Sequence, residues 1–176
     1  ERGARIDSPF ANQRDISTSL RRLVASDMGG ADPRSVFMYG PTGTGKSWFA
    51  AALLRELAER KWSVRWVTAR DMLREMRSLF QRGESERDDL TELEIMRRYE
   101  APRALVINEL PRSSVSAFVS ESIEGLIDYR ISNKLVTIVT SNLSLPEVGD
   151  AYSPQLASRL GPRNFNAIEF FGDDIR

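Results

Sequence analysis

The chain has 176 residues, 41% of them hydrophobic, which is enough to bury one substantial core and too little for two ordinary domains. Its 25 basic and 25 acidic residues cancel, so net charge carries no wholesale attraction to a polyanion; with no cysteine and no histidine, disulfides, thiol nucleophiles, imidazole bases and the usual zinc sites are excluded. Carboxylates, lysine, arginine and hydroxyls remain for chemistry, and with neither a membrane-spanning apolar run nor a secretory signal the expected location is cytoplasmic, without membrane contact.

Residues 1–34 read as a lead-in segment. Its first 15 residues are polar and irregular, and Ile16, Leu20, Leu23 and Val24 then mark one face of a helix ending near Gly29 and Gly30. Residues 35–176 form the core of what is a single domain overall. Five short apolar runs, 36–39, 64–67, 104–108, 135–140 and 166–170, have the character of buried strands. Helical patterns lie between them at 45–60, 69–81, 90–100 and 115–131, with a polar break at 83–89. In the helix over 90–100, Leu90, Leu93 and Tyr99 keep helical spacing; in that over 115–131 the inner side is Val115, Phe118, Val119, Ile123, Leu126 and Ile127. The alternation predicts an α/β fold with a parallel sheet covered on both faces.

The first core strand runs into Gly40, Pro41, Thr42, Gly43, Thr44, Gly45, Lys46 and Ser47, which satisfy the G-x-x-x-x-G-K-[ST] template at every fixed position. Strand before and helix after are the right context, because backbone N–H groups then converge on an anion at a helix N-terminus. Glycine lets the backbone approach the phosphates, Lys46 reaches the β- and γ-phosphates of ATP or ADP, and the Ser47 hydroxyl ligates Mg2+. Trp48 follows directly on the nucleotide loop and, with Phe49, is expected to pack into the core rather than stack on a base.

The strand over 104–108 ends in Asn108 and Glu109, where a phosphate-loop ATPase carries a magnesium-associated acid followed by a catalytic glutamate. Glu109 is therefore assigned to the attacking water, and Asn108 can hold a metal-bound water only as a neutral acceptor, which implies slow turnover. Asn142, at the end of the strand over 135–140, either contacts the γ-phosphate and its water or caps the short helix begun by Ser144. Ser158, Arg159 and Leu160 follow another short helix, and Arg176 ends the sequence.

The ordered segments GPTGTGKS, LVINEL, TIVTSNLSL, ASRL and FFGDDIR, spread over residues 35–176, resemble the DnaC, DnaI and IstB-like branch of the AAA+ ATPases. That resemblance implies a phosphate-loop NTPase fold of the AAA+ type, a five-stranded parallel sheet in the order 5-1-4-3-2 flanked by helices, with little or no lid. It makes Gly40 to Ser47 the Walker A loop, Asn108 and Glu109 the Walker B end, and Asn142 the first sensor. Arg159 becomes the arginine finger offered to a neighbouring subunit, with Arg163 as a rival, and Arg176 the second sensor. A homo-oligomer through Arg159, single-stranded DNA, and a replicative helicase or a transposase are the implied partners. The family usually carries Asp where this chain has Asn108, and its separate N-terminal partner-binding domain has no counterpart here, so an ATPase core is expected.

Between residues 55 and 82 eight cations face four acids, and Arg70, Arg74 and Arg77 fall at helical spacing with Phe80 nearby. The strip is either a backbone-tracking, base-stacking surface for nucleic acid or a solvated helix face offset by Asp71 and Glu75. Acidic residues between 84 and 94 favour a protein partner over DNA, and Ile6 and Phe10 fall where an adenine pocket is expected. The sequence thus supports an ATP-controlled helicase loader first. An IstB-like transposition helper acting on duplex DNA, a nucleotide-gated module with weak hydrolysis, and a small-molecule kinase are the rivals.

Overall fold

The computed structural model describes residues 4–6, 33–81, 92–112 and 115–171. Strands β1 (Ala4–Ile6), β2 (Ser35–Tyr39), β3 (Val64–Thr68), β4 (Ala104–Leu110), β5 (Val136–Ser141) and β6 (Phe165–Phe170) form one sheet in the order β1-β6-β2-β5-β4-β3, every pairing parallel. Strands β2 to β6 are the five expected, and their order is 5-1-4-3-2. Strand β1 is a correction: residues 1–15 are expected to be irregular, whereas Ala4 pairs with Ile168 and Ile6 with Phe170. Three residues are too few to display a period of two, so the pattern carries no strand signal there.

The helices are α1 (Lys46–Glu59), α2 (Ala69–Gln81), α3 (Glu92–Glu100), α4 (Ala117–Ser132), α5 (Leu145–Ala151) and α6 (Pro154–Arg159). The expected lead-in helix, the polar break and Leu90 lie outside the described residues, as does the side chain of Leu93. Helix α6 contains Ser158 and Arg159 rather than preceding them.

Alternation along the strands sorts the core into two layers. Val36, Met38, Ala104, Val106, Val136 and Ile138 point to one face and pack with Phe49, Ala50, Leu53 and Leu57 of α1. Phe37, Leu105, Ile107 and Val139 point to the other, where Met72 and Met76 of α2, Tyr99 of α3, and Ile123 and Ile127 of α4 meet them. Burial on both sides explains why these strands read as continuous apolar runs. The expectation of a buried Trp48 fails: Phe49 is fully buried, but Trp48 is 45% exposed. The buried stripe of α1 runs through Phe49, Ala50, Leu53 and Leu57, and Trp48 lies beside it.

At the opposite edge from the phosphate loop, fully buried Arg130 ties α4 to the start of β5 and the end of α3. Its Nε donates to Thr137 Oγ1 (2.9 Å), Nη1 to the Tyr99 carbonyl (2.7 Å) and Nη2 to the Val136 carbonyl (2.7 Å). These partners are neutral, and desolvation lowers the guanidinium pKa to about 10. The carbonyl dipoles at the end of α3 compensate the charge in place of a carboxylate.

Candidate nucleotide site

The loop between β2 and α1 turns on three glycines in the positive-φ region, Gly40 (137°), Gly43 (82°) and Gly45 (88°). Gly40 answers two constraints, since a Cβ added there would lie 2.0 Å from the Phe170 carbonyl oxygen. Gly45 is the N-cap of α1 in a left-handed conformation, and its carbonyl accepts the Phe49 N–H at 2.9 Å. Lys46 is buried, with Nζ donating to the carbonyls of Gly40 (2.8 Å) and Pro41 (2.5 Å), so the ammonium is held across the loop's own curve. The buried Thr44 hydroxyl donates to Pro41 O at 2.8 Å and ties the loop's middle to its start. Ser47 is half-buried in the first turn of α1. A backbone cradle too tight for side chains, closed by a lysine at a helix N-terminus, fits the phosphates of a nucleotide.

Asn108 and Thr140 continue the α1 face of the sheet, one step beyond Val106 and Ile138. Both are buried, and the Thr140 hydroxyl donates to Asn108 Oδ1 at 3.0 Å. The Thr140 hydroxyl oxygen in turn accepts the Glu109 N–H at 2.8 Å. Glu109 is exposed and has φ 61°, unusual for a residue with a side chain. The register shows the cause: Ile107 pairs with Val139 and Leu110 with Ser141, so β4 carries one extra residue there. Strand β4 therefore does not stop at Asn108 as expected but runs to Leu110 through a bulge that turns Glu109 out of the sheet.

Asn142 lines a cavity of about 570 Å³ together with Gly40, Pro41 and Thr42 of the loop, Arg112, Ser144, Glu147 and Glu169. It does not cap α5. Ser144 is the N-cap, and Glu147 Oε2 accepts from the Ser144 N–H (2.8 Å) and hydroxyl (2.7 Å). Those two hydrogen bonds, with Arg112 nearby, hold the Glu147 carboxyl below its usual pKa. Arg112 Nη2 lies 3.7 Å from Glu147 Oε1, bringing a cation to the cavity opposite the phosphate loop. Sequence reading assigned no role to Arg112, Glu169 or Thr140: Thr140 lies within TIVTSNLSL two residues before Asn142, and for Arg112 and Glu169 only nearness to strand ends could have pointed to them.

Not every expected residue comes to this site. Arg159, the last residue of α6, pairs with Asp128 of α4 through Nε and Nη2, and the pair stands partly exposed. Arg163 is exposed on the turn before β6. Arg176, Phe10 and the side chains of Ile6 and Phe80 lie outside the described residues. Arg70, Arg74 and Arg77 are all exposed on α2. Arg74 lies 3.6 Å from Asp71, and the Arg77 guanidinium sits 5.6 Å from the ring centre of Phe118. Glu75, expected to offset this strip, points instead to Arg98 and the Tyr99 hydroxyl of α3.

For magnesium the donor set is thin. Among the described residues no group of three or more acidic side chains could hold a metal ion, and Asn108 adds no charge. Ser47 with nucleotide oxygens fits a cation that keeps most of its water, as magnesium does. No helix among the described residues is long and apolar enough to cross a membrane.

The family model described as IstB-like ATP binding protein matches residues 8–160. The replicative helicase loader DnaI of Bacillus subtilis (strain 168) is 27% identical over 116 residues, covering 65% of this chain and 35% of DnaI. The replicative helicase loader DnaC of Escherichia coli (strain K12) is 29% identical over 143 residues, covering 81% of this chain and 56% of DnaC. The chain thus spans about a third to a half of these relatives' length. Among solved structures, the DnaC helicase loader superposes with a TM-score of 0.74 at 19% identity, covering 90% of each chain. AMPPCP-bound DnaA from Aquifex aeolicus superposes with a TM-score of 0.71 at 19% identity, covering 94% of this chain and 47% of DnaA. The shared fold is that of the AAA+ phosphate-loop ATPases.

Proposed function

This chain belongs to the IstB-like ATP-binding protein family, and from that premise we propose that it is the ATPase core of a DnaC-like loader that delivers a replicative helicase onto single-stranded DNA. The observation that carries the reading is the phosphate loop itself, with three positive-φ glycines, Lys46 drawn across it, and a cavity shared with Asn142. Similarity to two curated helicase loaders supports the choice of partner.

In this reading the loop amides and Lys46 bind the β- and γ-phosphates, and Asn142 orients the γ-phosphate from the cavity side. Glu109, turned out of the sheet by its bulge, accepts the proton of the attacking water. Ser47 would hold magnesium beside the phosphates, where the ion would supply charge neutralisation. Asn108 cannot add a negative charge, so turnover is slow. Arg159 acts in a neighbouring subunit, with Asp128 holding its guanidinium in the meantime. The α2 face of Arg70, Arg74 and Arg77 is the DNA contact, favoured by the diversion of Glu75 towards α3.

Retention of labelled single-stranded and duplex DNA, with and without a non-hydrolysable ATP analogue, tests this. Single strands should be retained with nucleotide, and reversing Arg70 and Arg77 to glutamate should weaken retention about tenfold. Preference for duplex would move the reading to an IstB-like transposition helper. Indifference to DNA with nucleotide bound would leave a nucleotide-gated protein module.

A further inference from the structure

Thr140 lies within the segment TIVTSNLSL without a role assigned to it there, yet its hydroxyl bonds both members of the Asn108–Glu109 pair. It is fully buried, so its proton needs a partner. Asn108 Oδ1 takes that proton at 3.0 Å, and the hydroxyl oxygen accepts the Glu109 N–H at 2.8 Å. This second bond holds an amide that the one-residue bulge withdraws from the ladder between β4 and β5. It also lies at the residue whose φ of 61° must be maintained against the ordinary preference of a side-chain-bearing residue.

Two consequences follow from one hydroxyl. Glu109 is fixed in the conformation that turns its carboxylate out of the sheet. Asn108 is fixed with its oxygen towards β5, which leaves Nδ2, a donor, as the amide atom not held by Thr140. Thr140 also stands two residues before Asn142, so a displacement at the end of β5 moves Asn142 and the support of Glu109 together. We infer that Thr140 is the positioning residue of the hydrolytic site, setting Glu109 and the Asn108 amide through its single hydroxyl and coupling them to Asn142. This rests on the hydrolytic reading above, in which Glu109 meets the attacking water.

The test compares Thr140→Val, which keeps the shape and removes the hydroxyl, with Thr140→Ser, which keeps the hydroxyl. Amide exchange at Glu109, affinity for a fluorescent ATP analogue, and ATP turnover are read on each. Thr140→Val should speed exchange at Glu109 at least about tenfold, with Val106 and Ile138 still protected, and should lower turnover about tenfold while affinity stays within about threefold. Thr140→Ser should restore both. Unchanged exchange and turnover in the valine variant would overturn the inference. So would parallel loss of affinity and turnover that serine does not restore, since that is the mark of packing alone. If valine is not accommodated, Thr140→Ala serves the same comparison. Undetectable turnover in the unaltered chain would sink the hydrolytic reading, whereas exchange at Glu109 would still decide the positioning claim.

Discussion

Gly40 shows how a single position can be over-determined. Its φ of 137° disfavours any side chain, and the Phe170 carbonyl occupies the space a Cβ would need. Gly40→Ala should cost at least about 3 kcal/mol by chemical denaturation and abolish nucleotide binding, because relief requires β6 and the phosphate loop to separate. The glycine itself was legible as a motif position, but the clash with β6 was not, because the partner is 130 residues away. Asn108 is the reverse case: its identity was plain, while its bond to Thr140 needed the strand register. Since aspartate has the same shape and accepts the same Thr140 proton, Asn108→Asp should keep the local structure and raise ATP turnover about tenfold. A variant no faster than the parent, measured at saturating ATP and magnesium, would show that the missing charge does not limit the rate.

Helices α2 and α3 are joined by polar contacts that periodicity does not reveal. Tyr99, a core residue by spacing, donates its hydroxyl to Glu75, and burial with this carboxylate raises its pKa to about 12 from the usual 10. The folded state therefore holds the phenolic proton more tightly than the unfolded chain. This contribution to stability is complete below pH 10 and declines as pH rises towards 12. The loss should be on the order of 2 kcal/mol, and Tyr99→Phe should remove that alkaline sensitivity in thermal melts at a series of pH values. Arg130 makes the same point at the end of α4. No sequence motif or apolar spacing marks it, yet it is buried against carbonyls of α3 and β5. Its replacement by methionine leaves those carbonyls without a donor and should cost about 3 kcal/mol by denaturant titration. The strands that positioned the site were readable because burial on both faces makes them continuously apolar. The bulge at Glu109, the short edge strand β1 and the exposure of Trp48 were not, because each depends on what lies next to the segment and not on its own pattern.

Across the protein, the parallel sheet sets phosphate loop, Asn108–Glu109 and Asn142 at the carboxyl ends of β2, β4 and β5, the edge where open α/β sheets bind ligands. Arg159 stands apart from that cavity, held by Asp128 on the same chain. In the proposed reading that guanidinium meets a transferring phosphoryl group across an interface between copies, which would make site assembly and subunit assembly one event driven by nucleotide.

Sedimentation of the purified chain, with and without a non-hydrolysable ATP analogue and magnesium, examines that coupling directly. The expected result is a larger species that forms only with nucleotide and is lost on Lys46→Ala, while Arg159→Ala still binds nucleotide but assembles poorly. A chain that binds the analogue and remains a monomer, or that assembles equally well without it, would contradict a nucleotide-driven loader.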